Sequence, residues 1–223
     1  MTSWSNPNPP QSPRGPKEPM VYVVDDDESM RLALDGLLRS IGLQVQTFES
    51  SQDFLAFAKR DVPGCLILDV RLRGESGLAF QEQMEKSGVR IPIVFMTGHG
   101  DIAMTVKAMK AGAVDFLAKP FRDQDMLDAV ASALARDSER LLAEQSGAAL
   151  RTSFKALTQR EREVLRFVVA GLMNKQIAAE LNLSEVTVKV HRGQVMKKLG
   201  ARSVAELVRM AETLGVEPSR RAT

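Results

Sequence analysis

Cys65-Leu66-Ile67-Leu68-Asp69 is an unbroken apolar run that ends on a carboxylate. Four apolar residues are too few for a helix. They suit a strand buried on both faces, as in a parallel sheet covered by helices. Asp69 then stands at the carboxyl end of that strand, where open α/β sheets gather their ligands. Working outward, strand patterns recur at 20–24, 43–48, 91–96 and 114–118, with helical patterns near 28–41, 51–60, 76–87, 101–111 and 123–142. Gly42, Gly88 and Gly112 each follow a periodic segment, where a helix stops readily on glycine. Five strands alternating with five helices predict an α/β domain with a doubly wound parallel sheet. The strands at 20–24, 65–68 and 91–96 are continuously apolar and suit its centre. The strand at 43–48 alternates and suits an edge.

A chain of 223 residues has room for one large or two small domains. Charge separates two halves. Residues 20–135 hold 12 Lys/Arg against 17 Asp/Glu, and residues 155–223 hold 13 against 7. One half is thus suited to cations and the other to polyanions. Cys65 is the single cysteine, which excludes an intramolecular disulfide and a Cys-based zinc site, and its apolar setting predicts burial. No stretch approaches 18 apolar residues and there is no signal-peptide core, so a cytoplasmic protein without a membrane partner is expected. Residues 1–19 carry six of the ten prolines among Ser, Asn and Gln and are expected to be a disordered tail.

Polar residues close several of the apolar strands. Asp25 and Asp26 follow the first, Asp69 the third, Thr97 the fourth, and Lys119 comes at the end of the fifth. The sheet would bring them to one crevice. Three carboxylates together need a counter-charge, and hard oxygen ligands suit Mg²⁺. An Asp carboxylate can attack phosphorus, with the metal and the Lys119 ammonium offsetting the developing charge. Thr97 offers a hydroxyl, and Gly98 allows its N–H to approach closely.

Residues 20–140 resemble the receiver domain of bacterial two-component response regulators. The matching residues are Asp25-Asp26-Asp27-Glu28 after Val-Val, Asp69 in Leu-Ile-Leu-Asp, Thr97 in Met-Thr-Gly-His-Gly-Asp and Lys119 in Ala-Lys-Pro-Phe. The resemblance implies a flavodoxin-like sheet of order 2-1-3-4-5, with Asp69 as phosphoacceptor. It also implies Mg²⁺, replaceable by Mn²⁺, held by Asp25, Asp26, Asp69 and the Arg71 main-chain carbonyl. Lys119–Pro120 would be a cis peptide, and Phe116 an aromatic that responds to Thr97. One departure stands out. The family's proline shortly after the phosphoacceptor is missing from Val70-Arg71-Leu72-Arg73-Gly74-Glu75-Ser76-Gly77, so a more mobile loop with two arginines beside the pocket is expected.

Residues 136–153 read as an extension of the fifth helix and then a linker broken near Gly147. Four helices follow. Thr158-Gln159-Arg160-Glu161 has the spacing of a capping box, Ser203-Val204-Ala205-Glu206 repeats it, and Ser184 suits an N-cap. Ile177, Ala178 and Leu181 would line the inner face of one helix, and Val186, Val188, Val195, Met196 and Leu199 supply apolar positions on the next. Basic side chains lie between them. Leu157-Thr-Gln-Arg-Glu-Arg-Glu-Val-Leu, Gly171-Leu-Met-Asn-Lys-Gln-Ile-Ala and Thr187-Val-Lys-Val-His-Arg resemble the LuxR-type helix-turn-helix over about 154–215, with its helix-turn-helix near 173–192. The resemblance implies that Lys189 and Val190 face bases, with Lys175, Ser184, Thr187, His191, Arg192 and Lys197 near phosphates or groove edges. Gly193 stands where some relatives have a basic residue.

Together the halves resemble the NarL/FixJ response regulators: a receiver at 20–135, a helical linker at 136–153 and a DNA-binding domain at 154–219. The resemblance implies a transcriptional regulator, not an enzyme, that a sensor histidine kinase phosphorylates. It would then dimerise, bind promoter DNA and act with RNA polymerase, as an activator. A haloacid-dehalogenase-type phosphatase would need a second Asp two residues after Asp69, and position 71 is Arg. A DNA-binding protein that works without phosphorylation is a further alternative.

Overall fold

The computed structural model describes residues 18–98 and 102–219. Most of the proline-rich tail and the loop carrying His99 lie outside them. Five parallel strands form one sheet: β1 (Met20–Val24), β2 (Gln44–Phe48), β3 (Gly64–Asp69), β6 (Ile93–Thr97) and β7 (Asp115–Ala118). Their order is β2-β1-β3-β6-β7. Allowing for two short strands between β3 and β6, this is the expected order 2-1-3-4-5, with alternating β2 at an edge. Around the sheet lie α1 (Glu28–Ser40), α2 (Ser51–Ala56), α3 (Gly77–Lys86), α4 (Ile102–Lys110) and α5 (Asp123–Lys155).

Each strand's period-2 alternation feeds two cores. One face buries Tyr22, Val24, Leu66, Leu68 and Phe95 with Phe54 and Phe80, and the other buries Val21, Val23, Ile67, Val94 and Met96 with Leu34, Leu38 and Val130. Cys65 lies fully buried in the second, where loss of hydration pushes its thiol pKa far up.

The structure departs from expectation at three places in this part of the chain. Helix α2 stops at Ala56 rather than near 60, because Phe57 turns into extended backbone. Its ring packs against Phe48 and Tyr22 at 5.4 and 6.2 Å, and Lys59 caps the Phe54 and Leu55 carbonyls. The segment after Asp69 is a short antiparallel hairpin, β4 (Arg71–Leu72) and β5 (Glu75–Ser76), rather than the freer loop expected without the proline. Glu75 ties it to the Ser51 hydroxyl, and Leu72 packs on the core. Gly77 follows, and a Cβ there would lie 2.5 Å from the Asp69 carbonyl oxygen, so only glycine lets α3 start so close to the strand end.

The third departure is α5, which runs unbroken through Gly147 for 33 residues. A glycine costs a helix only about 1 kcal/mol relative to alanine, and Ala148, Ala149 and Leu150 beside it are good helix formers. Within α5, Asp137 is buried, a placement the charged, mixed composition of 136–153 did not suggest. Its Oδ2 accepts the Gly64 N–H at 2.8 Å, and its Oδ1 accepts from Arg140 Nε at 2.8 Å.

The chain divides into two compact units at Leu141 and Leu142. The second holds α6 (Gln159–Val169), α7 (Asn174–Leu181), α8 (Glu185–Leu199) and α9 (Val204–Thr213), around a core including Val164, Leu165, Ile177, Val188, Val195 and Leu207. The capping box at Thr158 and Glu161 forms. Glu161 also takes the Lys198 ammonium at 2.7 Å; burial opposes its ionisation, but these hydrogen bonds outweigh burial and hold its pKa below the ordinary glutamate value. The expected second box is only half made. The Ser203 hydroxyl accepts from Glu206 N, but the Glu206 carboxylate accepts from Arg202 N, one residue earlier than a box requires.

Candidate functional site

Parallel register carries the pocket residues to one end of the sheet. Val24 pairs with both Phe48 and Leu68, Asp69 with Met96, and Thr97 with Ala118. Asp25, Asp69, Thr97 and Lys119 therefore emerge side by side. The Lys119 N–H donates to the Thr97 carbonyl at 2.7 Å, and the Lys119–Pro120 peptide is cis. Lys119 Nζ lies 2.8 Å from Asp25 Oδ2 and 2.6 Å from Asp69 Oδ2.

Burial is the main influence on Asp25 and raises its carboxyl pKa, although Lys119 and the Asp27 N–H favour the charged form. Burial alone would lower the Lys119 pKa, but the hydrogen bonds to Asp25 and Asp69 prevail and raise it. Asp69 Oδ1 accepts the Arg71 N–H at 2.9 Å, and Asp25 Oδ1 the Asp27 N–H at 2.8 Å. The main chain thus holds both carboxylates in orientation.

Asp25, Asp26 and Asp69 each offer an oxygen, and these atoms lie within 4.8 Å of one another. Opposite ligands of a Mg²⁺ ion bound at about 2.1 Å stand roughly 4.2 Å apart, so a small movement would close the set on that cation. An all-oxygen donor set fits Mg²⁺ or Mn²⁺ and no soft metal. Thr97 is fully buried, Gly98 is exposed, and Phe116 is half-buried with its ring 6.2 Å from that of Phe95. Arg71 lies on β4 and its side chain is exposed. Arg73, in the turn of the hairpin, reaches back to Asp26 at 3.1 Å, a contact spanning 47 residues of sequence.

In the second unit, α8 turns a buried face of Val188, Val195 and Leu199 toward the core. At 3.6 residues per turn the opposite stripe carries Val186, Lys189, Val190, Gly193 and Lys197, all exposed. Val186, one of the apolar positions of α8, is 73% exposed and Val190 is 56% exposed. Apolar residues on both sides of α8 leave no single stripe in the sequence, and packing on α6 and α7 selects Val188 instead. Lys175 is exposed in the first turn of α7. Ser184 and Thr187 serve the helix start, the Ser184 hydroxyl accepting the Thr187 N–H at 3.1 Å. His191 is half-buried, off the exposed stripe. Arg192 is turned onto Asn174 at 2.9 Å, bracing α8 on α7. Of the eight DNA-contact candidates, Lys189, Val190 and Lys197 share one open stripe. Thr187, His191 and Arg192 do not.

Residues 21–131 match the family described as the response regulator receiver domain, and residues 155–211 match the bacterial regulatory proteins of the luxR family. Nodulation protein W of Bradyrhizobium diazoefficiens is 55% identical over 88% of this chain and 87% of its own length. Transcriptional regulatory protein FixJ of Azorhizobium caulinodans is 42% identical over 93% of this chain and 99% of its own. Among solved structures, the response regulator StyR is similar with a TM-score of 0.79 at 50% identity, over 88% of this chain and 99% of that one.

Proposed function

The chain belongs to the two-component response regulators that join a receiver to a LuxR-type DNA-binding domain, and from that premise we propose that Asp69 is the phosphoacceptor through which a sensor histidine kinase controls it. The observation that carries this reading is the placement of Asp69 at a strand end, 2.6 Å from the Lys119 ammonium and beside two further carboxylates. An Asp69 oxygen forms a bond to phosphorus as the bond to the donor's histidine nitrogen breaks, and that nitrogen keeps the electron pair. Lys119 faces the phosphoryl oxygens as charge builds on them. Thr97 and the Gly98 N–H receive the group. Asp25, Asp26, Asp69 and, by the family resemblance, the Arg71 carbonyl would hold Mg²⁺ or Mn²⁺, which would supply positive charge to offset the charge of the transferred group.

Readout follows through Thr97 and Phe116 to the face formed by α4 and β7. Val106 and Met109 stand about half-exposed there, apolar positions suited to a second copy of the chain. Dimerisation would pair two α8 helices on a two-fold promoter site in the cytoplasm, where the regulator acts with RNA polymerase, as an activator. The exposed stripe of α8 supports a base-reading role: Lys189 and Lys197 are cationic, and Val190 and Val186 suit thymine methyl groups.

Phosphate-affinity electrophoresis tests the acceptor. Incubation with acetyl phosphate and MgCl₂ should give a single retarded band that hydroxylamine removes, as befits an acyl phosphate. Absence of the band, or a hydroxylamine-resistant one, overturns the reading. For the DNA interface, Lys189→Ala should weaken binding to selected sites by about 1–3 kcal/mol and leave random DNA nearly unaffected. An equal loss on both would make Lys189 a phosphate contact.

A further inference from the structure

We propose that Arg73 is a resident counter-cation of the acidic pocket, occupying Asp26 until a divalent metal displaces it. The inference rests on the reading of the pocket given above. Its basis is the division of cations among three clustered carboxylates. Lys119 reaches Asp25 and Asp69 at 2.8 and 2.6 Å, whereas Arg73 Nε reaches Asp26 at 3.1 Å. Each acid of the cluster thus has a cationic side chain as partner.

The two partners are held very differently. The Lys119 side chain is 19% exposed and fixed between two acids, whereas that of Arg73 is 77% exposed and makes a single-nitrogen contact instead of the two-pronged fork. Exposed pairs of this kind are weak and easily exchanged. The charge balance favours exchange. Three carboxylates with Lys119 and Arg73 carry −1; a divalent ion makes the cluster +1 if Arg73 stays and 0 if it leaves.

The hairpin makes Arg73 available for this role. Leu72 is packed on the core and Glu75 is tied to the buried Ser51, so both strands of the hairpin are anchored. Gly74, at φ +84, closes the turn between them. The backbone of the turn is therefore placed by its neighbours, and the guanidinium alone is left to swing between Asp26 and water. A proline in this loop would offer no such cation. Arg73 therefore sets the metal concentration at which the pocket becomes ready for phosphoryl transfer.

Calorimetric titration of MgCl₂ into the unphosphorylated full chain, at constant ionic strength, tests this. Arg73→Ala should tighten Mg²⁺ binding about three- to fivefold, the scale on which exposed ion pairs act. Arg73→Lys, which keeps the charge, should stay close to wild type. In an Asp26→Asn background, Arg73→Ala should bring no gain. Unchanged or weaker binding by Arg73→Ala overturns the proposal while leaving Asp69 as acceptor. A wild-type chain that takes up no Mg²⁺ at millimolar concentration overturns both. Thermal unfolding of each variant checks that the hairpin change has left the receiver folded.

Discussion

An Asp69→Asn chain should show no retarded band on phosphate-affinity electrophoresis after acetyl phosphate treatment, an all-or-none loss. Asparagine matches the shape of aspartate, so the Arg71 N–H keeps an oxygen acceptor at the place it now has at 2.9 Å. What disappears is the anionic nucleophile and one charge of the cluster. Lys119 retains Asp25. Removing one of three like charges relieves repulsion but also ends the 2.6 Å pair with Lys119, so the two effects oppose and the unfolding midpoint should stay close to that of wild type. The loss would then belong to the chemistry and not to folding. Dimerisation and promoter binding should become indifferent to the phosphodonor. If Asp69→Asn dimerises and binds DNA as well as phosphodonor-treated wild type, control by this carboxylate is refuted.

Asp137→Ala should destabilise the receiver by about 3 kcal/mol, moving its melting temperature down by roughly 10 °C. Two costs add. The Gly64 N–H loses its acceptor inside the protein, and the charge-assisted bond from Arg140 is lost. The Arg140 side chain is 31% exposed and can turn to water, which keeps the total below the cost of stranding a fully buried charge. Asp137→Asn, which keeps an oxygen for Gly64, should recover much of the loss. Urea unfolding followed by circular dichroism measures both variants. A change under 0.5 kcal/mol in Asp137→Ala would mean the buried carboxylate does not hold α5 to the start of β3.

Residues whose role follows from local pattern were legible in the sequence. Asp69 could be placed at a strand end because four apolar residues before a carboxylate leave few alternatives. Register in a parallel sheet then brought Asp25, Thr97 and Lys119 to it. The α6 cap was legible because all its parts lie within four residues. Asp137 and Arg73 were not, since their partners lie 73 and 47 residues away and composition cannot distinguish a buried acid from a solvated one. The inner side of α8 was not legible either, because the helix has valines on opposite sides and only packing decides which of them is buried. Gly147 misled in the other direction: a residue that often stops helices is outweighed here by the helix formers around it.

Cys65 lies fully buried inside the sheet with its pKa driven far up, so the folded chain presents no thiolate. Oxidants, alkylating agents and soft metals all need that anion, and none can reach it while β3 stays paired. The strand that ends in Asp69 therefore carries near its start a sulfur closed to thiolate chemistry. An alkylating agent that leaves the receiver folded should therefore leave this sulfur unmodified.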